Sequence, residues 1–155
     1  DGLPDLPRIG LGLVLQGAMH DFAWFGRGPH ENYVDRRTSA RMGAWREPVR
    51  APFPYLRPQE YGNRTDTRRL QVQDLAGRGV GVTADAPFEF SVHPYRPEDL
   101  MQCRHPHEMV PQPHTWLYLD HAQGGLGSES CGPRPLPQYL LQPAATQFAF
   151  TLRAH

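Results

Sequence analysis

The sequence predicts an all-β domain of antiparallel strands packed as a sandwich. Three observations lead there. Short runs in which apolar and polar residues alternate recur along the chain, the period of a half-buried strand. Proline (17) and glycine (15) make up about a fifth of the 155 residues. That is too much for a helical bundle and, with this aromatic content, too little for a disordered chain. Only one stretch, near residues 97–104, reads as helix.

Taken in order, residues 1–7 form an extended lead-in without the basic and apolar regions of a signal peptide. Residues 8–15 put Ile9, Leu11, Leu13 and Leu15 on one face of a first strand, and a turn at Gly17 follows. Residues 21–26 form a second, with Phe22 and Trp24 opposite Ala23 and Phe25. Residues 39–45 alternate Ala40, Met42 and Ala44 against Arg41 and Gly43. The prolines of residues 48–58 rule out an interior strand and predict a surface crossing. Residues 68–74 and 80–84 form a hairpin around Gly77 and Gly79, with Leu70 and Val72 inward, and 88–93 is a further strand. Pro97, followed by Glu98 and Asp99, starts the short helix, because proline lacks the N–H a first turn leaves unused and acids suit its positive end. Residues 115–121 set Leu117 and Leu119 against Trp116, Tyr118 and Asp120. A Gly/Pro/Ser loop covers 124–137, and residues 147–153 close the chain with Phe148, Phe150 and Leu152 inward, giving about eight strands.

Composition limits the function. Sixteen basic residues, all arginine, balance sixteen acidic ones in a mixed pattern. No nucleic-acid or membrane partner is expected from such a balance. Two cysteines, Cys103 and Cys131, make no disulfide framework and favour a reducing, cytoplasmic setting. Eight histidines include His105 and His107, but Pro106 separates them and no metal-binding helix spacing occurs, so no metal site is expected. Cys103 reads as a helix residue packed inward. Trp24, Trp45 and Trp116 lie in strand patterns and read as packing residues before sugar platforms.

Two loops are unusually dense in groups that hydrogen-bond. The first carries Arg27, His30, Glu31, Asn32, Asp35 and Arg36 behind the turn Gly26, Gly28 and Pro29. The second carries Arg57, Glu60, Asn63 and Arg64. A loop that must hold one shape needs such partners for its buried backbone groups. Glu31, Glu60, Glu89 and Glu129 are the carboxylates that could act as a glycosidase pair. Glu31 and Glu60 sit among arginines, where a structural ion pair is expected instead.

These loops also carry a resemblance. Gly26-Arg27-Gly28-Pro29-His30-Glu31-Asn32-Tyr33 with Asp35-Arg36 resembles the motif of the C-terminal, small-chain domain of glycoside hydrolase family 2 β-galactosidases. So do Tyr55-Leu56-Arg57-Pro58-Gln59-Glu60-Tyr61-Gly62-Asn63-Arg64, where members usually have Asn in place of Tyr61, Pro87-Phe88-Glu89-Phe90-Ser91, and Tyr95-Arg96-Pro97-Glu98-Asp99-Leu100. Trp116-Leu117-Tyr118-Leu119-Asp120 and Gly124-Gly125-Leu126-Gly127-Ser128-Glu129-Ser130-Cys131-Gly132-Pro133 fit as well.

The resemblance implies part of an antiparallel β-supersandwich of the galactose-mutarotase type, with residues 1–155 as a single domain, the C-terminal part of the small-chain domain. It implies that the catalytic glutamates belong to a (β/α)8 barrel absent from this chain, leaving no catalytic residue here. Glu129, Ser130 and Cys131 would lie in a substrate-proximal loop. Some members have Trp at the position of Cys131; a thiol there leaves a small pocket wall without stacking. The ten polar residues of the two loops would be structural. Expected partners are the barrel and other domains of the parent enzyme, a galactoside at the domain edge and further copies in a homo-oligomer. No cofactor is expected within this chain; any need of the parent for Mg lies in other domains. Two alternatives stand beside this reading: a stand-alone carbohydrate-binding sandwich, and an aldose epimerase-like enzyme, for which no His and Glu pair falls on a matching motif.

Overall fold

Seven antiparallel strands form one sheet in the computed structural model, which describes residues 4–127 and 132–155. They are β1 (Arg8–Leu15), β2 (Asp21–Gly28), β3 (Arg41–Pro48), β4 (Arg64–Gln73), β5 (Gly79–His93), β6 (Thr115–Gln123) and β7 (Phe150–Ala154). Their order is β1-β6-β5-β4-β2-β3, and β7 pairs with β5. The α-helix α1 (Pro97–Gln102) and two short 3-10 turns complete the regular structure among the described residues. None of their helices is long and apolar enough to cross a membrane.

The one sheet folds over itself into two layers. Phe22 on β2 pairs with Val72 on β4, which pairs with Val80 on β5. Phe90 lies ten residues further along β5, roughly 33 Å in a straight strand. Yet the Phe22 and Phe90 ring centroids are 5.8 Å apart, and so are those of Trp24 and Phe90. The β4–β5 ribbon must therefore turn a corner. Register irregularities at Arg64/Thr67 and Thr67/Arg69 mark it, together with Asp66 at φ 52°, a left-handed backbone that Asp tolerates better than most residues. One layer holds β3, β2 and β7 with the outer halves of β4 and β5; the other holds β1, β6 and the C-terminal half of β5. Between them lies the core of Phe22, Trp24, Leu70, Val72, Phe88, Phe90, Leu117 and Leu119.

Several expected boundaries move. The runs 80–84 and 88–93 are one strand, so the described residues form seven strands and not eight. Pro87 belongs to no strand pair, so its missing N–H interrupts no ladder. The third strand begins at Arg41 and ends at Pro48, an edge position where proline costs nothing. The fourth starts at Arg64, four residues early, because the corner needs that extension. Phe148 lies outside β7 and stacks on His121 at 5.5 Å. Leu11 and Leu152 are not inward; each is 46% exposed. Cys103 caps the end of α1 and is half-buried. Trp24 is buried, while Trp45 and Trp116 are partly so.

Candidate functional site

The two polar loops meet on the outer face of β5 and β6. Asn32 and Asn63 join them at the centre, both fully buried. The Asn32 N–H donates to the Asn63 carbonyl at 2.9 Å, and Asn63 Nδ2 donates back to the Asn32 carbonyl at 3.2 Å. Asn32 Oδ1 accepts from the Thr65 N–H at 3.0 Å and the Thr65 hydroxyl at 2.6 Å. Glu31 makes a second tie. It accepts from Arg36 Nη2 at 2.6 Å, from the Gly62 N–H at 2.6 Å and from the Tyr55 hydroxyl. Gly62 is required there, since its φ is +82° and a Cβ would stand 2.9 Å from His93 Cε1.

The remaining loop residues split. Arg27 and Arg37 converge on Asp66 Oδ2 at 2.5 and 3.1 Å, pinning the corner. Arg64 bonds Glu47 at 2.5 Å and the Gly62 carbonyl at 3.0 Å, with its guanidinium over the Trp24 ring. Glu60 pairs with Arg8 at 2.9 Å. His30 reaches only Ser39, at 2.9 Å on the surface. Arg57 is exposed and bonds to no described residue.

Beneath the loops lie two acids, Asp120 buried and Glu89 half-buried. Glu89 and Asp120 are cross-strand neighbours on β5 and β6. Burial pushes Glu89 up to about 7, against the pull of the Asn63 amide, which donates to it at 2.5 Å. Burial also raises Asp120 to about 6, with Arg8 opposing. Asp120 is 1% exposed, and neither carboxylate oxygen has a hydrogen-bond partner among the described residues; Arg8 Nη1 is 3.5 Å away. Gly10 makes room for it, because a Cβ there would lie 2.3 Å from Asp120 Oδ1. Burial, reinforced by Arg8 and Arg64, drops His93 to about 3, so its imidazole stays neutral.

Asp35 connects this assembly to the loop after β6. Its Oδ2 accepts from the Gly127 N–H at 2.7 Å, and the Gly125 N–H donates to the Tyr139 carbonyl at 2.8 Å. The stem before residue 128 is thus fixed from the first polar loop. Glu129, Ser130 and Cys131 themselves lie outside the described residues.

Chemically the arrangement orders backbone more than it offers reactive groups. Glu31 accepts three hydrogen bonds, Glu60 faces an arginine, and Glu89 is covered by Asn63 and the Gln123 N–H. Sequence reasoning missed Thr65 and Asp66, and reached Tyr55 and Asp120 only as parts of resembling motifs without a role at the site. Asp66 had no signal, and Asp120 shared an alternation face with Trp116 and Tyr118 that reads as solvent-facing.

Comparison with known proteins gives this layout a family. The model of the β-galactosidase small chain matches residues 2–152. The chain is 39% identical over 153 residues to a β-galactosidase of Klebsiella pneumoniae, covering 97% of this chain and 14% of that protein. A Vibrio cholerae β-galactosidase is likewise 39% identical, over 97% of this chain and 14% of its own length. One from Kluyveromyces lactis is 37% identical over 96% and 14%. The chain thus corresponds to about one seventh of the relatives it matches, and by this match it belongs to the β-galactosidase small-chain family.

Proposed function

We propose that this chain is the C-terminal domain of a cytoplasmic glycoside hydrolase family 2 β-galactosidase, acting in hydrolysis of terminal β-D-galactose residues. Its own contribution is a wall of the substrate pocket, formed by the loop of Glu129, Ser130 and Cys131. The catalytic acids reside on a separate (β/α)8 barrel. The Asp35 bond to Gly127 carries this reading, because it ties the most densely bonded loop of the domain to the base of that wall. The small share of each relative that the chain spans leaves ample length for a barrel. Cys131 supplies an apolar boundary where an indole would stack. Free strand edges at β1 and β3 suit contact with the rest of a homo-oligomeric parent.

The test is hydrolysis of a chromogenic β-galactoside by the chain alone and by the chain mixed with a parent enzyme truncated just before Asp1. The expected result is no turnover alone and restored turnover on mixing. Turnover by the chain alone would place the catalytic carboxylates here and overturn the proposal.

A further inference from the structure

A pocket of about 410 Å³ opens between α1 and the second polar loop, on the outer face of the sheet. Its floor comes from three adjacent strands: Arg8 of β1, Tyr118 of β6 and His93 of β5. Glu60 and Tyr61 form one wall and Glu98 of α1 the other.

On this floor Arg8 is paired with Glu60 and lies over the Tyr118 ring, while other polar groups keep free hydrogen-bonding capacity. His93 is 5% exposed, and its Nδ1 is sealed in without a partner among the described residues. Neither the Tyr118 hydroxyl nor the Glu98 carboxylate hydrogen-bonds to a described residue. Arg8 and Glu60 neutralise each other at 2.9 Å and present a donor beside an acceptor. Burial keeps His93 uncharged, and burial also raises the Tyr118 phenol to about 12, so both act as neutral hydrogen-bonding groups. The Tyr61 ring, packed 4.5 Å from the His93 ring, gives the wall an apolar face.

We infer that this pocket binds a small neutral polyol, a monosaccharide-sized ligand with adjacent hydroxyls. The Tyr118 hydroxyl offers an uncharged donor and acceptor, the Arg8–Glu60 pair matches a vicinal diol, and Glu98 accepts hydroxyl protons at the rim. An anion would meet Glu60 and Glu98, and a cation would meet Arg8. The volume falls within the range of small-molecule sites, and a few convergent polar groups over an apolar lining are their usual chemistry. The inference rests on these groups alone and stands or falls separately from the galactosidase reading.

Amide chemical shifts of the 155-residue chain, titrated with D-galactose and with myo-inositol, test it. The expected result is saturable shifts around His93 and Glu98 with Kd below about 100 mM. Glu98→Gln and Tyr118→Phe, both at partly or fully exposed positions, should each weaken binding by about fivefold, as loss of one hydrogen bond predicts. Gln71→Ala, on the opposite layer, should leave it unchanged. Absence of saturable shifts for both probes would overturn the inference. So would equal binding by the pocket variants, or tighter binding of citrate or spermidine than of either polyol.

Discussion

Replacing Glu89 by glutamine should stabilise the chain at pH 8 and leave it almost unchanged at pH 4. Glu89 sits at about 7 in the fold against an ordinary 4.5, because burial penalises its charge. The folded chain therefore holds this proton more tightly than the unfolded chain. The stability linked to it is fully present below about 4.5 and is lost as the pH rises through 7. At roughly 1.4 kcal/mol per pH unit, the loss by pH 8 is about 3 kcal/mol. In Glu89→Gln the side-chain carbonyl would still accept from the Asn63 amide, without ever becoming charged. The gain at pH 8 should approach that figure, and the two stabilities should converge toward pH 4. Urea unfolding followed by tryptophan fluorescence from pH 4 to pH 8.5 measures it, with Trp24 in the core as reporter. Asp120, whose own window ends near 6, is present in both proteins and largely cancels. Parallel stability curves for the two proteins, or a less stable variant at pH 8, would refute the reasoning.

Asn32→Ala should lower stability by about 3 kcal/mol in the same assay, since the buried Thr65 N–H and hydroxyl both lose their acceptor. A loss below about 1 kcal/mol would mean the loops hold their shape without it. Gly10→Ala should cost about 2 kcal/mol or more, because the new methyl would meet the Leu119 carbonyl at 2.4 Å as well as Asp120; an unchanged midpoint would contradict the close approach. Arg57→Ala should change stability by less than about 0.5 kcal/mol, and a larger effect would contradict its lack of a bond to any described residue. In light scattering the chain should associate, because β1 leaves Leu11 and Val14 exposed beside an open edge and β3 leaves Met42 so. A strict monomer at high concentration would count against uncovered edges.

The strands were largely legible because alternation is local. Leu70 and Val72, and Leu117 and Leu119, face the core as their spacing requires. The corner was not legible, since it depends on how Phe22 meets Phe90 across the folded sheet, and no local pattern encodes that. Pro87 looked like a break, but a strand that changes partners there needs no N–H from it. The polar loops announced themselves by density, yet their partners are distant in the chain: Asn32 with Thr65, Arg36 with Tyr55, Asp35 with Gly127. The acids beneath the loops were hardest. Glu89, His93 and Asp120 occupy the face that alternation assigns to solvent, and only the covering loop buries His93 and Asp120 and half-buries Glu89. Nor does spacing reveal that Arg57 bonds to no described residue while Arg64 is buried against Trp24.

Asp35 accepts from the Gly127 N–H, and the proposed role of this bond in a β-galactosidase is open to direct test. The most direct measurement is kcat/KM for a chromogenic β-galactoside when the truncated parent is complemented by this chain, compared with the Asp35→Ala chain at matched saturation. Asp35→Ala should complement with normal affinity but with activity reduced by about tenfold or more, as expected for a misplaced pocket wall. Equal activity from both chains would contradict the account.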